Sequence, residues 1–260
     1  MQTVFDTLFE KKYLIASLVT CTALVLLSNY LGVESAIIIG NLLYIPTSGT
    51  LLILAILILV RFGTSGYHGV AWFAFTCYSI SWFVAEMLWI VQELYLNIDP
   101  FPSAADIFYI IGYPFLLMFF VAYLQPVKVN ITKKMFATST VFAVGILVLG
   151  LYLTLRHGTT DDLFMMVIAT AYPAFDSMII IPALLGVGLF FKGKVNLMWT
   201  LICFGAICVF IADTAFLLGQ NDDTYYTGNP LEIPFYWNYI LLSFGVYSHL
   251  GLFRKESSSR

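Results

Sequence analysis

Residues 69–93 read GVAWFAFTCYSISWFVAEMLWIVQE: twenty-five positions without a basic residue and with a single carboxylate, Glu86, before the terminal Glu93. A helix needs about 20 predominantly apolar residues to cross the hydrocarbon core of a bilayer. This stretch meets that length, and the same ruler divides the chain into eight segments near residues 13–32, 44–62, 69–93, 106–125, 135–155, 164–191, 198–219 and 233–253. The expectation is an all-α, polytopic membrane helix bundle of about eight transmembrane helices. Pro46, Ser48 and Gly49 interrupt the second segment, and that reading places the proline in the helix's first turn, where it is tolerated.

Composition carries the same message. Hydrophobic residues make up 60% of the chain, charged residues 10%, and mean hydropathy is +0.90, whereas a soluble domain carries about 25% charge. The net charge of −3 and the scattered lysines and arginines leave no basic face for a phosphate backbone, which excludes nucleic acid as a partner. The opening MQTVFDTLFEKKYLIASL has a Lys11-Lys12 pair before an apolar run but no cleavage site of small residues, so it reads as a retained first helix. Cys21, Cys77, Cys203 and Cys208 all lie in apolar runs and read as packing residues, with neither a disulfide nor a metal site implied.

Cytoplasmic loops of membrane proteins collect lysine and arginine. With eight spans and an internal N-terminus, Lys11, Lys12, Arg61, Lys128, Lys133, Lys134, Lys192, Lys194, Arg254, Lys255 and Arg260 all fall inside. Arg156 falls outside beside Asp161 and Asp162, and the other exterior loops hold Glu34, Glu93, Asp99, Asp222 and Asp223. Both termini are therefore expected to be cytoplasmic.

A shift of 127 residues lays Trp72 on Trp199, Pro46 on Pro173, Ala85-Glu86 on Ala212-Asp213, and Glu34 on Asp161. After a one-residue gap, Asp106 meets Glu232, Gly112 meets Asn238, and Tyr113 meets Tyr239. This is the pattern of a tandem duplication of a four-helix unit, residues 1–127 and 128–260. An even number of spans per unit gives both copies one orientation and a relating axis along the membrane normal.

A charge at the centre of a bilayer costs about 3 kcal/mol on insertion scales, so carboxylates within spans face the interior and mark function. Here they are Glu86, Asp106, Asp176, Asp213 and Glu232. Trp82, Glu86, Trp89 and Glu93 recur at helical spacing and share one face. Asp213 shares its own face with Phe216 and Gln220.

Asp106, Tyr109 and Tyr113 form a second stripe, repeated in the eighth helix as Glu232, Phe235 and Tyr239. Capping of a helix start is the simpler role for Asp106. Asp176 lies between Pro173 and Pro182, where it serves either the broken backbone or a cavity opened by the kink. The expected ligand-binding set is thus Trp82, Glu86, Trp89, Asp106, Tyr109, Tyr113, Asp176, Asp213, Glu232 and Tyr239. In the expected topology these form an acidic, aromatic pocket in the outer half of the bilayer, suited to a cation, an amine or shared protons.

No lysine lies within a span, so a retinal Schiff base has no attachment point. Walker-type, HExxH and GxSxG motifs are absent, as is the TVGYG filter of potassium channels. No catalytic or metal-ligating set is expected, and cofactors remain unknown from sequence. His68 and His249 fall near the cytoplasmic helix ends and leave a paired site open, but His249 lies far from the carboxylates, which counts against an intramembrane enzyme.

Pro102-Ser103-Ala104-Ala105-Asp106-Ile107-Phe108-Tyr109 followed by Gly112-Tyr113-Pro114 resembles a signature of membrane input regions that precede bacterial GGDEF diguanylate cyclase domains and some histidine kinases. Ala171-Tyr172-Pro173 with Asp176, Ala212-Asp213, and Gly228-Asn229-Pro230-Leu231-Glu232 ahead of Trp237 and Tyr239 resemble later segments of such regions. The likeness covers about residues 70 to 250 and implies a sensory, ligand-responsive bundle without catalysis of its own. Those regions feed a cytoplasmic output domain, whereas here FRKESSSR closes the sequence, so sensing would run through a cytoplasmic or membrane partner protein. Two further readings stand beside it: a small proton- or cation-coupled transporter, and a subunit or assembly factor of a membrane complex. Membrane lipids are partners under all three.

Overall fold

The computed structural model describes residues 2–155, 163–191 and 195–257. Eight α-helices run through them: α1 (Gln2–Tyr30), α2 (Val33–Phe62), α3 (Gly66–Ile90), α4 (Ala104–Leu124), α5 (Lys133–Leu155), α6 (Leu163–Leu189), α7 (Asn196–Asn221) and α8 (Ile233–Ser257). Among the described residues there is no strand. Helices α1 to α7 each contain a stretch long and apolar enough to cross a membrane. Helix α8 is as long but is diluted by tyrosines, Trp237, Asn238 and His249. Of the residues used in the charge and repeat readings, Arg156, Asp161, Asp162, Lys192, Lys194 and Arg260 lie outside the described residues.

The bundle is apolar outside as well as inside. Ile15 of α1, Ile53 of α2, and Val141 and Val148 of α5 are 60% to 73% exposed. Exposed apolar area on that scale needs lipid rather than water around it. Helix α3 packs on α2 and α4, α7 packs on α6 and α8, and the pairs α2–α8 and α4–α6 join the two groups.

The second helix differs from its sequence reading. It begins at Val33, not near 44, so Pro46 lies in mid-helix and Glu34 sits in the first helical turn rather than in a loop. Pro46 withdraws the N–H that the Leu42 carbonyl would accept, and Thr47 and Ser48 add bonds to the same turn by donating their hydroxyls back to the carbonyls of Leu43 and Tyr44, at 2.7 and 2.6 Å. Ser and Thr side chains re-satisfy backbone in this way where water is absent. Glu34 gains from the positive end of the helix dipole. Glu93 likewise is not in a loop: α3 continues into a π-helical turn, Val91–Tyr95, and Asn41 of α2 donates to Glu93 at 2.7 Å. Glu232 precedes α8 in a 3₁₀ turn, Pro230–Glu232.

Helices approach closely where polar atoms have partners or side chains are small. Between α3 and α4, the Ser81 hydroxyl donates to the Phe108 carbonyl at 2.6 Å and the Trp82 indole donates to the Tyr109 carbonyl at 3.1 Å. That indole lies on Gly112, where any β-carbon would collide with it. Trp199 of α7 occupies the matching space over Gly186 of α6.

The loop between α7 and α8 folds down onto α1 and α2. Asn29 donates to the Gly228 carbonyl at 2.7 Å and accepts from the Tyr226 hydroxyl at 2.7 Å. Gly228 has a φ of 80°, and a β-carbon there would run into the Ala36 carbonyl of α2. A non-glycine residue in this backbone region costs about 1–3 kcal/mol even without a clash. Gly228→Ala should therefore lower stability by at least that amount. The measurement is the thermal midpoint of the purified protein, and an unchanged midpoint would show that the loop can back away from α2.

Candidate functional site

Five carboxylates are buried inside the bundle, each 6% exposed or less: Glu86 on α3, Asp106 on α4, Asp176 on α6, Asp213 on α7 and Glu232 ahead of α8. A buried charge has to be neutralised or hydrogen-bonded. Here the partners are phenols. Glu86 accepts from the Tyr239 hydroxyl of α8. Asp106 accepts from the Tyr172 hydroxyl of α6 at 2.7 Å. The Tyr113 hydroxyl of α4 lies 2.7 Å from Asp213 and 2.8 Å from Asp176. Glu232 accepts from the hydroxyls of Tyr225 and Tyr236 and from the Gly228 amide.

Local sequence explains how several of these groups are placed. The segment PFPSAAD starts α4 with a capping box: Asp106 accepts from the Ser103 amide at 2.7 Å, and Ser103 Oγ accepts from the Ala105 amide at 3.1 Å. Asp106 caps with one oxygen and takes Tyr172 with the other, so capping and the polar cluster are not alternatives. On α6 the two roles are divided. Ser177 donates to the Ala174 carbonyl at 2.7 Å beside the Pro173 kink, leaving Asp176 free to face Tyr113.

Four of the carboxylates line one narrow cavity. Its wall contains Glu86, Asp106, Asp213 and Glu232 together with Trp82, Trp89 and Tyr109. Tyr44, Tyr172, Phe216, Tyr225 and Phe235 complete it, none of which stood in the sequence-derived set. The cavity measures about 40 Å³, room for roughly three ordered waters at ~10–15 Å³ each. No lysine, arginine or histidine lines it.

Asp176 and Tyr113 instead line a second, smaller cavity of about 10 Å³ farther along the helices, with Trp82 shared between the two. Tyr239 reaches the site through Glu86 and lines neither.

Beyond the first cavity, at the end of the bundle where α3 stops, lies an open cleft of about 560 Å³ containing Glu34, Glu93 and Asp99. Trp89 and Tyr225 line both spaces and so form the partition between them. Trp89 is fixed by donating its indole N–H to Thr227 at 3.0 Å, and Phe216 meets Tyr225 edge-on at 4.6 Å.

At the other end the space is closed by a stack of rings. Phe119 and Phe190 lie parallel to Trp199 at 6.2 and 5.3 Å, and Trp72 meets His249 at 5.1 Å. His68 and His249 both pack on the Tyr123 ring, at 4.7 and 5.9 Å. They therefore sit together, but at the end of the bundle opposite the carboxylates. No group of three or more His, Cys, Asp or Glu residues suited to a metal ion occurs among the described residues.

No family model matches this chain, and no curated protein or solved structure matches it either.

Glu232 lies outside the apolar spans, and burial pushes its carboxyl up to about 7 from an ordinary value near 4.5, against the opposing pull of Tyr225, the Gly228 amide and Tyr236. A raised carboxyl makes the folded state the stronger proton binder between those two values, so stability falls as pH rises across that window. Thermal midpoints should thus decline from about pH 4.5 to about pH 7. Glu232→Gln should flatten the decline, and an identical slope in both proteins would remove Glu232 as its source.

Proposed function

We propose that this chain is a non-enzymatic, membrane-embedded binding module that takes a small cation or an amine in its carboxylate–tyrosine cavity and passes the binding event to a partner protein. One observation carries the reading. The four carboxylates of the cavity meet neutral donors only, and no lysine, arginine or histidine shares its wall, so their negative charge has no internal cation to balance it. A cationic ligand supplies what the wall lacks, and flanking aromatic faces such as Trp82 and Trp89 add cation–π attraction of about 1 kcal/mol or more when desolvated.

We place all eight helices across the bilayer with both termini cytoplasmic, which puts the acidic cleft outside. The charges on the described loops support this placement. Arg61, Lys128, Lys133 and Lys134 occupy the histidine end, while Glu34, Glu93 and Asp99 occupy the cleft. The sensor reading agrees with the resemblance to membrane input regions of signalling proteins.

We further propose that residues 1–127 and 128–260 are duplicated four-helix units. Equivalent contacts recur across the bundle in support. Tyr113 bonds Asp213 in one direction, and their aligned counterparts Tyr239 and Glu86 bond in the other. At the opposite end, Trp72 meets His249 at 5.1 Å, and Trp199 meets Tyr123 at 5.3 Å. Each of these contacts joins one unit to the other, so the units hold each other's polar groups.

A small proton- or cation-coupled transporter is the second reading, favoured by the same paired units and by the mid-helix prolines Pro46, Pro114, Pro173 and Pro182. It requires the ring stack around Trp72 and Trp199 to open. The two readings separate in liposomes, where a carrier accumulates labelled amine in response to a pH gradient and a sensor does not.

Binding itself is read by thermal shift of the full chain in nanodiscs against a panel of primary and quaternary amines. A ligand at a hundred times its Kd stabilises by about 2.7 kcal/mol. Glu86→Gln and Asp213→Asn should each abolish that shift. An undiminished shift in both variants, or no shift with any cation in the native chain, would sink the proposal.

A further inference from the structure

The second cavity has a chemistry different from the first. It holds about 10 Å³ between α3, α4, α6, α7 and α8, and its wall is apolar apart from Tyr78, Tyr113, Asp176, Asn238 and the Trp82 indole. Three polar atoms of those residues make no hydrogen bond of good geometry: the Tyr78 hydroxyl and Asn238 Nδ2, which face each other, and Asp176 Oδ2. They come from three different helices and are at most 4% exposed. Leaving one buried polar atom unpaired costs about 1–3 kcal/mol, so three around a common void call for a shared occupant. A buried water needs two to four polar partners and a space of about one probe sphere. One acceptor, one amide donor and one hydroxyl that can serve either way meet that requirement.

The wall between the two cavities is the Asp176–Tyr113–Asp213 bridge. A phenol has one hydrogen, yet the Tyr113 oxygen lies at hydrogen-bond distance from both carboxyls, 2.8 Å from Asp176 and 2.7 Å from Asp213. Tyr113 can donate to only one of them. The two carboxyls also face each other directly, so the cluster is attractive throughout only when one carboxyl is protonated and donates to the phenol oxygen or to the other carboxylate. Two carboxylates sharing a dry site hold one proton for the same electrostatic reason. The groups facing the bridge from the packed helices are Tyr78 and Glu86 of α3, Asp106 of α4, Tyr172 of α6 and Tyr239 of α8, and none is basic.

We infer that the Asp176–Tyr113–Asp213 bridge is a proton-binding site, holding one proton shared between two carboxyls, and that one ordered water in the cavity behind it joins Asp176 to Tyr78 and Asn238. Tyr113 stays neutral, and the pair carries a single negative charge. The first cavity reaches this site through Asp213, and the second cavity behind it ends at the apolar floor of Leu116, Phe120 and Leu242.

This extends the cation-cavity reading to a deeper site, and its test uses the spectroscopic state of Asp176 and Asp213, so loss of amine binding and loss of the shared proton are separately visible. The full chain in nanodiscs is compared by infrared difference spectroscopy at neutral pH with Asp176→Asn/Asp213→Asn. Relative to the native chain, the variant should lose one protonated-carboxyl band and one carboxylate band of comparable intensity. Loss of carboxylate bands alone, or of carboxyl bands alone, overturns the inference. Should the double variant fold poorly, Tyr113→Phe keeps both carboxyls, and it must move the protonated-carboxyl band to higher frequency; an unmoved band overturns the inference. Added sodium at constant pH should leave the band in place, and its removal by sodium would make the site a metal-ion site instead.

Discussion

The constraint on which this bundle depends is the burial of carboxylates without a buried cation. Each of the five interior acids has to be satisfied by neutral donors, and in a dry interior only geometry of hydrogen-bond quality will do so. Phenols meet the need because a tyrosine combines a large apolar body with a polar tip. The ring fills core volume while the hydroxyl reaches across to a carboxyl on another helix. Glu86 to Tyr239 ties α3 to α8, Asp106 to Tyr172 ties α4 to α6, and Tyr113 gathers α4, α6 and α7 at one point. Hydrophobic packing cannot draw helices together in lipid as it does in water. Polar ties and close steric fit therefore carry much of the tertiary specificity.

The rest of the interior follows from where those ties leave room. On the side away from the cleft no buried carboxylate occurs among the described residues, and the volume is filled by Trp72, Phe75, Phe119, Phe120, Tyr123 and Trp199 in edge-on and stacked contacts. Gly112 and Gly186 admit one indole each, which sets the distance between α3 and α4 and between α6 and α7. Trp72 and Trp199 bury their indole N–H groups without an oxygen partner. Tight aromatic contact around both indoles makes the ring stack a closed floor. The opposite end is softer in design, with a π-helical turn, a wide acidic cleft and a two-residue aromatic partition.

Much of the fold was legible in the sequence, because hydropathy length and the spacing of rare charges report directly on helices in a membrane. The second helix was the exception. A proline between Tyr44 and Ser48 reads as a helix start, yet the helix runs through it, with the hydroxyls of Thr47 and Ser48 bonded backwards to carbonyls of the same turn. The carboxylates of the site were also legible, since each stands out in an apolar run. Of their partners, Tyr113 and Tyr239 stood in the expected set and the others did not. Tyr44, Tyr172, Tyr225 and Tyr236 line the cavity or bond its acids, yet they are four of sixteen tyrosines in an aromatic-rich chain, and nothing in their spacing separates them from lipid-facing neighbours such as Tyr152.

The sequence by itself determined that the chain is helical, that its helices are long and apolar enough for a bilayer, and which acidic residues face inward, because each of those properties is paid for locally in transfer free energy. Tertiary structure alone decided how the acids are divided. Glu86, Asp106, Asp213 and Glu232 surround one cavity, while Asp176 lines another with Tyr78 and Asn238. That division depends on which phenol from a distant helix reaches which carboxyl. It is set by helix packing to within an ångström, a quantity that no local pattern of residues encodes.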